Sequence, residues 1–260
     1  MMNHDRKVLC AAITELAVVA GDEIMEIYNR DFEVATKDDS SPVTEADVNA
    51  EKIILAGLAK IAPEIPVLAE ESAAAGEIPD LSGGIFWLVD PLDGTKEFVH
   101  KRGEFTVNIA LIENGRPTMG VIHVPAKNTT YFASGPDDAW VVEENTAPQK
   151  MGTRDTPTDG LTVVASRSHR TPETDDYISK YNVADLISAG SSLKLCLIAE
   201  GKADLYPRLG RTMEWDIGAG QAILEAAGGV VETLDGSVLM YGKPGHDNPY
   251  FVAKGKADTQ

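Results

Sequence analysis

The chain has 260 residues, 43% hydrophobic and 25% charged, which is ordinary for a soluble globular protein. Its formal net charge of -18 argues against binding to nucleic acid, which needs a basic face. No apolar run approaches the ~20 residues of a membrane helix, and the broken apolar pattern at the start is not that of a signal peptide. We therefore expect a cytoplasmic protein without an integral membrane segment. Cys10 and Cys196 lie in apolar helical patterns and are expected to be buried free thiols.

The N-terminal part predicts two helices followed by β-strands. Apolar residues recur at helical spacing over 5–29 and again over 46–61. Thr44 is the expected N-cap of the second helix, with Asp47 at the acidic position of a capping box. The segment PVLAEES predicts a short strand that ends in acids, and IFWLVD (85–90) predicts a buried strand.

A β-hairpin is predicted by FTVNIALIENGRPTMGVIHVP, whose turn is Asn114-Gly115, and two more strands continue the meander. Pro, Thr and Asp crowd residues 146–160, which suggests halves at 1–150 and 151–260. In the second half, helices expected in SSLKLCLIAEG and EWDIGAGQAILEAAGG alternate with strands. This alternation indicates an α/β arrangement with helices on both faces of a sheet.

The segment WLVDPLDGT carries the clearest chemical signal. Asp90 ends an apolar strand and Asp93 follows three residues later, with a turn at Pro91. Two carboxylates so close repel each other unless a cation neutralises them, and hard oxygen donors suit Mg²⁺. Gly94 and Thr95 would offer backbone N–H groups to a phosphate if a helix begins there. Taken alone, the same residues also fit an Asp-rich turn.

Other acids stand at the ends of predicted elements. Glu70 and Glu71 end the PVLAEES strand, Asp47 begins the second helix, and Asp216 begins the helix of EWDIGAG. Each alone is explained by a solvated side chain or a helix cap. Together they lie where α/β sheets place their ligands, which favours a shared site.

Two other phosphate-handling motifs are excluded. Haloacid-dehalogenase phosphatases use DxDGT, whereas DPLDGT is one residue longer and lies about 90 residues into the chain. The P-loop pattern GxxxxGK[ST] is absent from the sequence.

The blocks VTEAD, AEES, WLVDPLDGT and EWDIGAGQAILEAAGG resemble the inositol monophosphatase superfamily over nearly the whole chain. This resemblance implies an α/β fold, a layered αβαβα sandwich. It also implies metal ligation by Glu70, Asp90, Asp93, Asp216 and the carbonyl group of Leu92, with substrate contacts from Glu70, Leu92, Asp93, Gly94, Thr95 and Asp216. Asp47 and Thr95, with Glu70, match positions that orient or activate the attacking water.

Within the superfamily, DGTKEF resembles the 3'(2'),5'-bisphosphate nucleotidase branch of the CysQ type, since inositol monophosphatases usually have Thr-Asn in place of Lys96-Glu97. Ser191, Lys194 and Arg208 match positions that hold the other phosphate of the nucleotide, and His169 matches a position near the base or ribose. Without the resemblance, Lys194 would be read as a surface lysine and Arg208 as a strand-end arginine.

The resulting hypothesis is hydrolysis of the small molecule 3'-phosphoadenosine 5'-phosphate to AMP and phosphate by a metal-activated water. It implies two Mg²⁺ ions, with a third, weaker one near Glu70, and inhibition by lithium. The sulfated form of the nucleotide stays open as a substrate, as does the oligomeric state. The alternatives are an inositol monophosphatase, a broad sugar-phosphate phosphatase, and an inactive phosphate-binding module. The resemblance also allows loose attachment to the cytoplasmic face of the inner membrane, although no basic amphipathic segment supports it.

Overall fold

The computed structural model describes residues 6–36, 42–168 and 170–256. Its helices in chain order are α1 (Arg6–Tyr28), α2 (Glu45–Ile61), α3 (Glu70–Ala74), α4 (Thr95–Val99), α5 (Pro172–Ile178), α6 (Leu193–Ala199) and α7 (Glu214–Ala226). Its strands are β1 (Val34–Thr36), β2 (Pro42–Thr44), β3 (Val67–Ala69), β4 (Ile85–Asp93), β5 (Thr106–Glu113), β6 (Arg116–Val124), β7 (Thr129–Ala133), β8 (Ala139–Val142), β9 (Gln149–Lys150), β10 (Leu161–Ser166), β11 (Val183–Ala189), β12 (Leu205–Arg208), β13 (Val230–Thr233) and β14 (Phe251–Lys254). The two long N-terminal helices, the hairpin and the alternating second half confirm the sequence predictions.

A seven-stranded sheet forms the first large layer, in the order β3-β4-β5-β6-β7-β8-β9. Only the β3–β4 pair is parallel among these described strands. Helices α1 and α2 cover one face with a core that includes Ile13, Ile24, Ile54 and Trp87. Because strands alternate their side chains, the opposite face presents a second apolar set, with Leu88 and Ile122, to the next layer.

Helices α6 and α7 fill the middle layer between the two sheets. The second sheet has five strands in the order β11-β10-β12-β14-β13. Helix α5 packs on its outer face against β10, β12 and β14, around Val163, Ile178 and Leu205. The layers are therefore α, β, α, β, α, which confirms the predicted sandwich.

One continuous core joins the first sheet to the second half of the sequence, because α7 packs directly on β4, β5 and β6. Cys10 and Cys196 are buried free thiols, as predicted. In the described part of the chain, no helix combines the length and apolar character that a membrane crossing requires.

Two predicted boundaries near the acids were wrong, and both differences have local causes. Strand β4 does not stop at Asp90 but continues to Asp93 with a shift in register. Pro91 cannot donate a hydrogen bond to the neighbouring strand, so the pairing skips it. The PVLAEES strand is also shorter than predicted, because it ends at Ala69 and Glu70 begins helix α3.

The middle helix approaches the first sheet most closely at Gly120 of β6. A Cβ atom built at Gly120 would lie 2.4 Å from the carbonyl oxygen of Ala219 in α7. That oxygen belongs to the backbone, so relief requires the helix to move away from the sheet. The glycine therefore sets the distance at which α7, which carries Asp216, rests on the strands.

Gly120→Ala should lower the free energy of unfolding by about 1–3 kcal/mol, because it overpacks this contact. Urea denaturation followed by circular dichroism measures the change. Gly83→Ala is the matched control, since a Cβ at Gly83 meets nothing within 4 Å, and it should change stability by no more than ~0.5 kcal/mol. Equal effects of the two substitutions would contradict the close approach of α7 to the sheet.

Candidate active site

Three of the predicted acids, Glu70, Asp93 and Asp216, line one cavity of about 530 Å³ at the ends of β4 and of helix α7, whereas Asp47, Asp90 and Leu92 are buried and do not line it. Residues from the acidic motifs line one side: Glu70, Asp93, Gly94, Thr95 and Asp216. The same cavity is also lined by Ser191, Lys194 and Arg208, which come from the second half of the sequence. The fold thus brings the two groups of predicted site residues to a single cavity. His169 lies outside the described residues.

Asp47 and Thr95 are in direct contact. The Thr95 hydroxyl lies 3.1 Å from Oδ1 of Asp47 and 3.3 Å from the carbonyl oxygen of Leu92. The other Asp47 oxygen accepts hydrogen bonds from the backbone N–H and hydroxyl of Thr44, at 2.8 and 2.7 Å. Asp47 therefore completes the predicted capping box with Thr44 and also binds Thr95, so its structural role and its predicted catalytic role are compatible.

The buried carboxylates repel one another. The pKa of Asp90 is raised well above its usual value, mainly by burial and then by the negative charges of Glu70, Asp93 and Asp216. A hydrogen bond with Glu70 adds to this shift. The pKa of Asp216 is raised in the same direction by burial, Asp93 and Glu70. The site therefore concentrates more negative charge than its surroundings can neutralise.

Asp93 is held by polar neighbours that sequence reasoning missed. The Ser192 hydroxyl lies 2.8 Å from Oδ2 of Asp93 and 2.6 Å from the carbonyl oxygen of Asp216, and it shares its proton between them. Asn108 donates to the Ser192 oxygen at 2.9 Å. Burial raises the pKa of Asp93, while Lys194, Ser192 and Asn108 oppose that shift. Ser192 therefore joins the DPLDGT strand to the start of α7.

Glu51 is a second residue that the sequence analysis did not single out. It is buried on α2, and its carboxylate accepts the backbone N–H of Glu71 at 2.7 Å and that of Ser72 at 2.8 Å. The Ser72 hydroxyl also donates to it at 2.6 Å. These bonds satisfy free N–H groups at the start of α3 and so fix the position of Glu70. The spacing of four residues from Asp47 was the available signal, since it places both acids on one helix face.

The oxygen atoms of the acidic residues suit a divalent cation, but they do not already form a compact binding site. In residues 6–36, 42–168 and 170–256, no three acidic, histidine or cysteine side chains converge closely enough to form a ready metal site. However, the acids are mutually repelling oxygen donors, which are the ligands that Mg²⁺ prefers. A cation would relieve their repulsion and draw them together.

The cationic side chains that line the cavity are buried. Lys194 is 5% exposed and Arg208 is 8% exposed, so neither is the surface residue that their sequence context alone suggests. Burial is the main cause that lowers the pKa of Lys194 to about 8, and Arg208 adds to it while Asp93 opposes it. Ser191 has a left-handed φ of 44°. Its buried hydroxyl has no hydrogen-bond partner among the described residues.

The fold and this arrangement define a family. Residues 5–257 match the model of the inositol monophosphatase family, and the chain belongs to that family. Its members are typically dependent on metal ions, usually Mg²⁺.

Two of the proteins most similar to this chain carry the name CysQ. The chain is 46% identical over 231 residues to the 3'(2'),5'-bisphosphate nucleotidase CysQ of Salmonella typhimurium, covering 88% of this chain and 92% of that protein. It is also similar to the crystal structure of CysQ from Bacteroides thetaiotaomicron, with a TM-score of 0.84, 42% identity, and coverage of 98% and 99%. An inositol monophosphatase from Anabaena has a TM-score of 0.75 and 24% identity over 98% of this chain and 93% of that one. This last likeness shows the shared fold.

Glu51→Gln should weaken Mg²⁺ binding by roughly 10–100-fold, as is typical when a residue that orients a ligand is changed. The amide keeps one acceptor atom, so one N–H at the start of α3 loses its partner and Glu70 is less firmly held. Isothermal titration with Mg²⁺ measures the affinity. Glu45→Gln, the same change at an exposed position of α2, is the control. Wild-type affinity in both variants would show that Glu51 does not support the metal ligands.

Proposed function

We propose that this chain is a magnesium-dependent 3'(2'),5'-bisphosphate nucleotidase that hydrolyses 3'-phosphoadenosine 5'-phosphate to AMP and phosphate. The observation that carries this proposal is the single cavity with an acidic side and a buried cationic side. Such a cavity suits a ligand with two phosphate groups, one cleaved beside the acids and the other retained by the cations. The named CysQ relatives support the same substrate.

Glu70, Asp90, Asp93, Asp216 and the Leu92 carbonyl group are the proposed ligands of two Mg²⁺ ions, with a third, weaker ion near Glu70. When bound, these ions neutralise the charge of the phosphate and favour the ionised form of water. The acidic chain itself repels a phosphate ester, because its formal net charge is -18. Divalent cations would therefore reverse the local potential where the bond is cleaved.

Asp47 and Thr95 are proposed to orient the attacking water. The Thr95 hydroxyl donates to Asp47, so its lone pairs stay available to accept a hydrogen bond from water. Thr44 holds the Asp47 carboxylate in place through two hydrogen bonds. The pair can thus take up the proton that the water loses, as in general base catalysis.

The retained phosphate is assigned to Ser191, Lys194 and Arg208. A phosphate there would accept hydrogen bonds from both cationic groups, which are stronger than neutral ones. It would also give the buried Ser191 hydroxyl a partner. A monophosphate of inositol has no group with the charge of a second phosphate, so this side of the cavity favours the bisphosphate.

Asp93→Asn should remove nearly all activity while the fold survives, because the amide withdraws a negatively charged oxygen donor. Phosphate release with Mg²⁺ present measures turnover, and circular dichroism checks folding. Asp175→Asn, an exposed change on α5, should keep wild-type activity. Undiminished turnover in Asp93→Asn would contradict the metal-ligand assignment.

Lys194→Ala should lower kcat/KM for the adenosine bisphosphate by roughly 10–100-fold, which is the usual effect of losing a hydrogen bond to a charged group. The same variant should retain most of its activity on inositol 1-phosphate. Parallel assays of wild type and variant on both substrates measure this. An equal loss on the two substrates would contradict the second-phosphate assignment, and a wild-type preference for inositol 1-phosphate would favour an inositol monophosphatase.

The pH profile of kcat/KM for the bisphosphate should fall as the pH rises above about 8, where Lys194 loses its proton in the free enzyme. A lysine is charged below its pKa, so binding of the retained phosphate weakens on the alkaline side. Lys194→Arg keeps its charge throughout, because the arginine pKa is above ~12, and should lack this decline. The same alkaline decline in wild type and Lys194→Arg would assign it to another group.

A further inference from the structure

Glu97 is a buried acid of the DGTKEF motif that contacts a loop from the second half of the sequence. It lies on α4, and its side chain is 4% exposed. Its Oε1 atom accepts a hydrogen bond of 2.5 Å from the hydroxyl of Ser168. Ser168 follows β10 in the second sheet and, like Glu97, lines the cavity. The bond therefore connects the acidic motif of one sheet to a loop of the other.

The same side chain packs against the turn that carries Ser191. A Cβ atom built at Gly190 would lie 2.8 Å from the Cγ of Glu97, so the turn can approach only because residue 190 has no side chain. Glu97 also contributes to the electrostatic environment of Lys194, whose pKa it raises. It therefore contacts two segments on the cationic side of the cavity.

Glu104 is a second acid that contacts both the turn at Gly190 and the loop after β10. Glu104 accepts hydrogen bonds from the backbone N–H of Gly190 at 2.9 Å and from the guanidinium of Arg167 at 3.1 and 2.9 Å. Arg167 precedes Ser168 in the chain. The loop and the turn are thus fixed to residues 97 and 104 of the first half at neighbouring points.

Ion pairing does not explain why Glu97 is buried. Its ion-pair partner is Arg102, at 3.7 Å, whose side chain is 41% exposed. Such long, solvated pairs contribute little to stability. A buried carboxylate is unfavourable unless it is paired or hydrogen-bonded. The hydrogen bond from Ser168 and the contact with Gly190 indicate that Glu97 positions these two segments.

We propose that Glu97 is a positioning residue for substrate specificity: through Ser168 and Gly190 it holds the wall of the cavity that receives the nucleotide beyond the cleaved phosphate. This proposal rests on the proposed function. The residue touches no reacting group in this account, so its loss affects binding of the nucleotide and leaves cleavage of a small phosphate ester intact.

Steady-state kinetics of Glu97→Ala, Glu97→Gln and Ser168→Ala on the adenosine bisphosphate and inositol 1-phosphate test the proposal. Glu97→Ala should raise KM for the bisphosphate by roughly tenfold or more, with kcat on both substrates little changed. Glu97→Gln keeps an acceptor for the Ser168 hydroxyl and should restore most of the wild-type KM. The double variant of Glu97→Ala and Ser168→Ala should be no worse than the more damaging single one, because both remove the same contact. Glu144→Ala, at an exposed position, is the control for loss of an acid.

The role of Glu97 would be overturned by an unchanged KM for the bisphosphate in Glu97→Ala, whether or not kcat falls, or by fully additive losses in the double variant. The wild-type measurement separates this test from that of the proposed function. A wild type that prefers inositol 1-phosphate contradicts the nucleotidase function. A wild type that prefers the bisphosphate, together with a Glu97→Ala variant of unchanged KM, contradicts only the positioning role.

Discussion

Electrostatic repulsion among the buried carboxylates is the constraint on which the site depends. Asp90 is buried and Asp216 is half-buried, and each feels the negative charge of Glu70 and Asp93. A protein gains no stability from such an arrangement, since separated and solvated acids would have lower energy. The arrangement becomes favourable when a divalent cation is bound. Under the proposed function, both the stability and the activity of the site depend on the bound ion.

The surrounding structure holds these acids from several directions. Thr44 fixes Asp47, Glu51 fixes the start of α3, and Ser192 links Asp93 to the beginning of α7. Thr44 and Glu51 belong to the first helical layer, as the cap and a residue of α2, whereas Ser192 immediately precedes α6 in the middle layer. Because α7 rests on the first sheet while α6 packs beside it, the acidic and cationic residues of the cavity are joined through one continuous core.

The sequence predicted the parts of the site that stand at the ends of regular elements. Asp47, Asp90 and Asp216 follow or begin apolar segments, so their position was readable from periodicity. The layered fold was predicted through the family resemblance rather than from periodicity. The strand end at Asp90 was misjudged because the register shift across Pro91 depends on pairing with a distant strand.

Burial and long-range contacts were not readable from the sequence. Lys194 has the local pattern of a surface lysine, and its burial follows only from the packing of α6 between the sheets. Ser192 and Asn108 are 84 residues apart in the chain and meet through the tertiary fold. Glu97 was noted for its motif, whereas its partner Ser168 lies in the other half of the sequence.

The most direct test of the account is the free energy of unfolding as a function of pH, measured with and without Mg²⁺. Folding raises the pKa of Asp90 and Asp216 above the usual value of 3.8, so the native state binds protons more tightly than the unfolded state. Without Mg²⁺, stability should therefore fall as the pH rises from the ordinary carboxyl range toward the raised values. With Mg²⁺, the protein should be more stable at neutral pH and this decline should flatten, and Asp93→Asn should show a much smaller effect of the ion. A pH dependence that is identical with and without Mg²⁺ would contradict the claim that the carboxylates form a cation site.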